Sequence, residues 1–285
     1  MRRDRWLPYA LILPSVVFLA LFFLAPLVEA ILLALRSGDG AWTWTNFRRM
    51  ANDLYFPDAW RNTLTLAAIV VPLQVVLSLG MAHLLGGLPR GPRDGVLYIW
   101  TIPLGISDLA AGIAWLAIFT ERGYLNSFLA ALGVIDVPVL WLGYQDLFTL
   151  FVAVIAAEVW RATAIVLVIL VSGLQLIPKE LGEAAEVFGA TPWQRFRRVT
   201  LPLLRPSLQT ALMLRTVLAF EVFAVVVTLT GRNLPVLAGE AFNWYGLYRN
   251  PHVAAAYGVL ILAISAAASI VYLRVLRVRP EVRLT

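Results

Sequence analysis

Residues 177–206 read IPKELGEAAEVFGATPWQRFRRVTLPLLRP, and what this stretch can form decides how the rest of the chain is read. It predicts two short helices. Pro178 suits a first helical position, and Glu180 and Glu183 favour the positive N-terminal end of a helix dipole. Leu181, Ala184, Ala185 and Phe188 recur at i, i+3, i+4 and i+7, which gives the first helix one apolar face. Gly189 then supplies a left-handed stop. Thr191 is placed to cap the second helix, with Pro192 at its first position and Gln194 completing a capping box. Trp193, Phe196 and Val199 continue an apolar stripe opposite Arg195, Arg197 and Arg198, and Pro202 and Pro206 close the segment.

A pair of this kind has two uses. Lying flat in a lipid interface explains the arginines and Trp193. It does not explain the small residues Ala184, Ala185, Gly189 and Ala190 gathered at the turn. Small side chains let another protein's backbone approach closely, whereas lipid favours bulk. Docking into a partner accounts for more of the segment.

The sequence on either side is that of a membrane protein. Of 285 residues 60% are hydrophobic and 14% charged, with a mean hydropathy of +0.80; soluble domains carry about 25% charged residues. Six stretches are long and apolar enough to cross a bilayer as helices: 7–35, 63–88, 96–119, 147–173, 204–230 and 253–273. The expected fold is therefore all-α, a single integral membrane domain over 1–285 with about six transmembrane helices. The 177–206 segment falls between the fourth and fifth. The first stretch follows Arg2, Arg3 and Arg5 like a secretory signal, but it is too long and no small-residue cleavage site follows, so it reads as a retained helix.

Orientation follows from the basic residues. With the N-terminus inside, the inner segments hold 14 arginines and lysines (Arg2, Arg3, Arg5; Arg90, Arg93; Lys179, Arg195, Arg197, Arg198, Arg205; Arg274, Arg277, Arg279, Arg283). The outer segments hold 7: Arg36, Arg48, Arg49, Arg61, Arg122, Arg232 and Arg249. Both termini are expected in the cytoplasm. The outer segments are rich in aromatics, among them Trp42, Trp44, Trp60, Trp244 and Tyr248, which fit an interfacial belt or a surface that meets another protein or a sugar ring.

Several chemistries are excluded. With no cysteine and two histidines, His83 and His252, thiol catalysis, disulfides and a histidine metal cluster fall away. Lys179, the only lysine, follows Pro178, so there is no Gly-Lys-Ser/Thr phosphate loop. If ATP drives this protein, another subunit hydrolyses it. The net charge of +6 belongs to loops facing anionic lipid and protein partners rather than to nucleic acid.

Glu183-Ala184-Ala185, then Gly189, then Val199-x-Leu201-Pro202 resembles the EAA signature of ABC importer permeases, with matching spacing and valine in place of isoleucine. The resemblance implies that this loop is the coupling helix pair that inserts into an ATPase subunit. It also implies that ATP and Mg2+ are held by the ATPase dimer, with no cofactor in this chain. Leu13-Pro14-Ser15, Asn62-Thr63, Gly123-Tyr124-Leu125-Asn126, the Trp160 region, and Phe220-x-x-Phe223 running to Leu229-Thr230-Gly231 are similar to the carbohydrate-type permeases, those of maltose, trehalose and glycerol 3-phosphate. That group implies an extracytoplasmic solute-binding protein and a second permease subunit. A start like Leu13-Pro14-Ser15, without a long glycine-rich tail, resembles the first of two non-identical permeases. One departure concerns ATPase contacts: the family usually has aspartate before the coupling glycine, and here it is Phe188. Polyamine, sulfate-type and iron permeases carry similar loops. An ion-coupled secondary transporter fits the membrane charges but leaves 177–206 without a role. An intramembrane enzyme lacks a serine–histidine or paired-aspartate constellation.

Six ionisable residues fall in or near the predicted spans: Glu29, Asp108, Glu158, Arg161, Arg215 and Glu221. Such charges face protein or a water-filled cavity. Pro103 and Gly105 predict a break in the third helix just before Asp108. Glu158 and Arg161, at i and i+3, are spaced to pair. Arg215 and Glu221, six apart, cannot pair within one helix, so each has a neighbouring span as one source of a partner. The favoured expectation for Arg215 is instead a place near the cytoplasmic end, snorkelling to the surface, and Glu29 is expected at the outer interface. A sugar site combines aromatic faces with hydrogen-bonding groups, so Asp108, Trp115, Glu158, Trp160 and Glu221 are the candidate substrate path; either tryptophan alone also reads as packing.

Overall fold

A computed structural model describes residues 7–277. Arg2, Arg3, Arg5, Arg279 and Arg283, which enter the charge count, lie outside the described residues. The described chain is helical, with one isolated bridge between Arg36 and Trp42. In order, the helices are α1 (Leu7–Leu19), α2 (Ala25–Leu35), α3 (Thr45–Ala51), α4 (Phe56–Gly86), α5 (Arg90–Thr101), α6 (Asp108–Phe119), α7 (Tyr124–Ala131) and α8 (Leu147–Gln175). There follow α9 (Lys179–Val187), α10 (Pro192–Arg195), α11 (Leu201–Leu203), α12 (Arg205–Phe220), α13 (Ala224–Thr230), α14 (Leu237–Gly246) and α15 (Pro251–Val275). Four unbroken helices are long and apolar enough to cross a membrane: Tyr9–Leu35, Phe56–Gly86, Leu147–Gln175 and Pro251–Val275. Counting each of two bent pairs as one span brings the total up to six: Arg90–Gly105 with Asp108–Ala131, bent by 103°, and α12 with α13, bent by 46°.

The chain divides into two compact units, one of residues up to 57 with 237–263, the other of 58–236 with those after 263. In the first, a π-helical turn, Ala20–Leu24, joins α1 to α2 immediately before Pro26. A proline ring collides with the carbonyl four residues back, and widening the helix there makes room for it. Asn46 ties α3 to the end of α2 by donating to the carbonyls of Ala34 (3.0 Å) and Arg36 (2.8 Å). Asp53 accepts from Trp244 Nε1 (2.6 Å) and the Tyr257 hydroxyl (2.9 Å), which fixes α14 and α15 to the segment after α3.

In the second unit α8 is the central element. One apolar cluster surrounds its N-terminal half, with Leu66, Val154, Val225 and Leu229; another surrounds its C-terminal half, with Val75, Val166, Leu170, Leu204 and Ala211. Two glycines set how closely helices approach. A Cβ on Gly173 would lie 2.6 Å from Ser207 Cβ, so α8 and α12 meet nearly backbone to backbone there. A Cβ on Gly112 would lie 2.8 Å from Thr228 Cβ, which holds α13 against α6. The third helix breaks where proline and glycine require it: α5 ends at Thr101, Ile102–Gly105 forms a 3-10 turn, and Ser107 caps α6 by accepting from Ala110 N (3.2 Å). The break at Glu221–Phe223 carries neither residue, and it is α13's seat on the Gly112 face of α6 that accompanies the bend.

Candidate functional site

The two short helices form as their capping residues dictate. Gly189, at φ +80°, ends α9 with a pair of bonds: Gly189 N–H to the Glu186 carbonyl (2.8 Å) and Ala190 N–H to the Ala185 carbonyl (3.0 Å). This is a Schellman ending, which satisfies carbonyls the helix would otherwise leave open. Thr191 Oγ1 accepts from Gln194 N (3.3 Å) and Gln194 Oε1 accepts from Thr191 N (2.9 Å), closing the capping box. The Arg195 guanidinium donates to Glu186 Oε2 at 2.8 Å, bracing α10 against α9. Trp193 stacks on Phe196 at 5.6 Å, and Phe196 meets the edge of His83 at 5.3 Å, which moors the pair to the end of α4.

At the turn between the two helices the pair leaves large apolar side chains outward. Val187 is 86% exposed and Phe188 90% exposed, and nothing lies within 4 Å of where a Gly189 Cβ would be. Glu183 and Ala184 are also exposed, while Ala185, Val199, Leu201 and Pro202 are half-buried on the side that joins the bundle. Burying bulk of that kind is favourable by about 1.5–3 kcal/mol per large side chain, so the exposed turn is a surface suited to a partner.

The second feature is a charge network in the membrane-spanning bundle. Arg215 of α12 is 1% exposed, a correction to its expected place at the cytoplasmic end. It does not snorkel because two facing helices offer acceptors at its own height: its Nε donates to Gln74 Oε1 (2.6 Å) and its Nη2 to Glu158 Oε2 (2.7 Å). Gln74 also donates to the Glu158 backbone carbonyl (2.8 Å), so α4, α8 and α12 share one polar knot. Arg161 reaches Glu158 only at 3.7 Å and makes its shorter bond to Asp108, at 2.8 Å. The i, i+3 pairing is thus secondary to one that spans α8 and α6.

Of the five path candidates, Asp108 and Glu158 meet through Arg161, and Trp115 and Trp160 meet ring to ring at 6.0 Å. Trp115 also stacks on Phe119 at 5.3 Å. Asp108 is half-exposed, whereas Glu158 is sealed at 2%. Glu221 stands exposed at the α12–α13 break and joins none of these contacts. Glu29 is exposed on α2. Gln74 was not among the sequence candidates; its only signal is an amide inside the apolar run Val70 to Val76. A cavity of about 10 Å³ beside Glu158 and Arg215, walled by Leu66, Val70, Ala219 and Val222, has room for one water-sized group.

Several membrane-length helices with a doubly capped helix pair between two of them fit the transmembrane subunit of an ABC importer. The likeness extends to solved structures: a bacterial ABC transporter involved in the import of the acidic polysaccharide alginate matches with a TM-score of 0.81 and 22% identity, over 97% of this chain and 96% of that one. The chain belongs to the family described as binding-protein-dependent transport system inner membrane component, whose profile matches residues 5–278. Relatives include the trehalose/maltose transport system permease protein MalF of Thermococcus litoralis, 31% identical over 98% of this chain and 96% of the relative. The sulfoquinovosyl glycerol transport system permease protein SmoG of Agrobacterium fabrum is 30% identical over 97% and 92%. The sn-glycerol-3-phosphate transport system permease protein UgpA of Salmonella choleraesuis is 31% identical over 94% and 90%.

Proposed function

We propose that this permease forms half of the path by which a sugar or related polar solute is imported, with a second, non-identical permease subunit supplying the other half. A solute-binding protein delivers the ligand from outside, and a cytoplasmic ATPase dimer carries ATP and Mg2+. The termini and the 177–206 segment face the cytoplasm. Alternating access follows: closure of the ATPase dimer pulls on the helix pair, and the pull passes through Phe196, His83 and α4 into the bundle. Asp108, Trp115, Trp160 and Glu221 serve the substrate path, with Glu158 behind them holding Arg161 toward Asp108. The names of the curated relatives support the solute class.

One observation carries the reading: the apolar, exposed turn Val187-Phe188 around a positive-φ glycine with open space over it. Gly189→Asp adds a side chain at φ +80°, a strain of about 1–3 kcal/mol, and places a charge at the contact. Solute uptake should collapse while membrane insertion persists, and co-purification of the ATPase should weaken. Normal uptake with full ATPase association would sink the coupling role. Orientation is tested separately, since the chain has no native cysteine. In intact cells an impermeant thiol reagent should label a cysteine at Trp44 and spare one at Val187; the reverse pattern inverts the topology.

A further inference from the structure

A cavity of about 350 Å³ opens in the smaller unit, where the end of α2 and the residues of α3 meet the start of α15. Arg49 and Arg249 both line it, together with His252, Asn46 and Asn250, and no carboxylate does. Neither arginine forms an ion pair among the described residues. Asp39 lies nearby in sequence, but its carboxylate is engaged by the Ser37 hydroxyl and by backbone N–H groups, which hold its pKa below the usual value. Two arginines lining one concavity place like charge there, which a shared anion relieves.

Both arginines are exposed, while the lining residues beside them are held in place. Asn46 spends both amide hydrogens on the Ala34 and Arg36 carbonyls, and His252 Nδ1 is 3.0 Å from the Leu33 carbonyl. Asn250 Oδ1 accepts from Val253 N (3.2 Å), which leaves its amide hydrogens for an acceptor. Arg249 sits at φ +49°, the one non-glycine residue with positive φ among those described. Glycine takes that conformation without strain; here the fold keeps a guanidinium there instead.

We propose that this cavity binds a phosphate group, that of an anionic phospholipid headgroup. A guanidinium pair matches phosphate oxygens in the forked geometry that arginine favours. The location selects lipid as its source. The cavity lies where two membrane-crossing helices end, Tyr9–Leu35 and Pro251–Val275, and beside it Trp42 and Trp44 are 66% and 72% exposed. Exposed tryptophans mark the headgroup layer. None of the residues assigned to the substrate path lines the cavity. On the topology proposed above it faces the outer leaflet.

The test titrates the purified full-length chain in detergent with dioctanoyl phosphatidylglycerol, dioctanoyl phosphatidylcholine and inorganic phosphate. Phosphatidylglycerol should bind saturably, at least about tenfold tighter than phosphatidylcholine, and more weakly as salt rises. Arg49→Gln and Arg249→Gly should each weaken it by about tenfold. Arg249→Gly suits the positive φ, so the fold is retained while the guanidinium is lost. Arg48→Gln removes the same charge from a neighbour that does not line the cavity and should leave binding unchanged. Unchanged affinity in the Arg49→Gln, Arg249→Gly double variant overturns the site, and an equal loss in Arg48→Gln reduces it to general charge attraction. Inorganic phosphate binding as tightly through the same arginines overturns the lipid source. Hexaglutamate binding through them while phosphatidylglycerol does not would instead assign the cavity to an acidic protein.

Discussion

The helix pair at 177–203 and the knot around Glu158 are held by opposite means. In the pair, every polar contact joins residues at most nine apart: Thr191 with Gln194, Glu186 with Arg195, and the Gly189 and Ala190 amides with the turn behind them. The knot joins residues 57 to 141 positions apart, Arg215 with Glu158 and Gln74, and Gln74 with the backbone of Glu158. The first is exposed, and its polar contacts close within the segment itself. The second is buried, and each member keeps its partners only while three helices stay assembled. A transporter needs both kinds of part: a bundle that keeps its identity as it moves, and a handle soft enough to be gripped.

The largest effect expected from that contrast lies in the knot. Glu158→Ala leaves the Arg215 guanidinium buried with Gln74 as its remaining partner. Removing one member of a buried pair costs about 3–5 kcal/mol, because the other charge stays desolvated. Thermal unfolding of the detergent-purified protein should fall accordingly, and the inserted fraction with it. Combining Glu158→Ala with Arg215→Met should recover most of the loss, since an apolar replacement of both members is near neutral. A Glu158→Ala protein as stable as the parent would show that the knot does not hold the bundle. Glu158→Gln sharpens the point: full stability with lost uptake would move Glu158 from a holding role into the path itself.

That contrast also explains what could be read before the structure. The Schellman glycine, the Thr191 cap and the break before Asp108 follow from one or two residues acting on adjacent backbone, so their physics is contained in a few consecutive letters. The partner of Arg215 is not. Nothing within a turn of Arg215 favours burial, and a lone arginine in an apolar stretch reads more simply as snorkelling. Its true acceptors lie on α4 and α8, and Gln74 reads like any amide in an apolar run. Arg161 shows the same limit: its i, i+3 pair with Glu158 forms at 3.7 Å as the spacing allows, while its nearer partner, Asp108 at 2.8 Å across the broken helix, has no signal in the sequence. The bend at Glu221–Phe223 has no glycine or proline to announce it, and the close approach of Gly112 to Thr228 that accompanies it joins residues far apart in the sequence.

A smaller, local effect is expected from the cap. Thr191→Ala deletes the oxygen that accepts from Gln194 N, a loss of about 1 kcal/mol, and the amides of the first turn of α10 should exchange with deuterium about fivefold faster. The melting temperature of the bundle should stay unchanged, since no helix of the knot is touched. A lowered melting temperature in Thr191→Ala would mean that the handle and the bundle are one cooperative unit and that the contrast between them fails.

The smallest effect separates an exposed handle from one already buried. Glu186 and Arg195 pair at 2.8 Å with side chains 69% and 36% exposed. Water and salt screen such a pair, so a double-mutant cycle of Glu186→Gln and Arg195→Gln on the isolated chain should give a coupling of about 0.2–1 kcal/mol. Raising the ionic strength to about 1 M shortens the screening length to about 3 Å and should remove most of it. The same cycle measured with the ATPase bound should give a larger value, because a docked partner excludes water and lowers the dielectric around both charges. A coupling that is large in the isolated chain and insensitive to salt would place the pair in a desolvated setting. One that stays small when the ATPase is bound would leave this turn outside the interface and move the grip of the ATPase to another part of the segment.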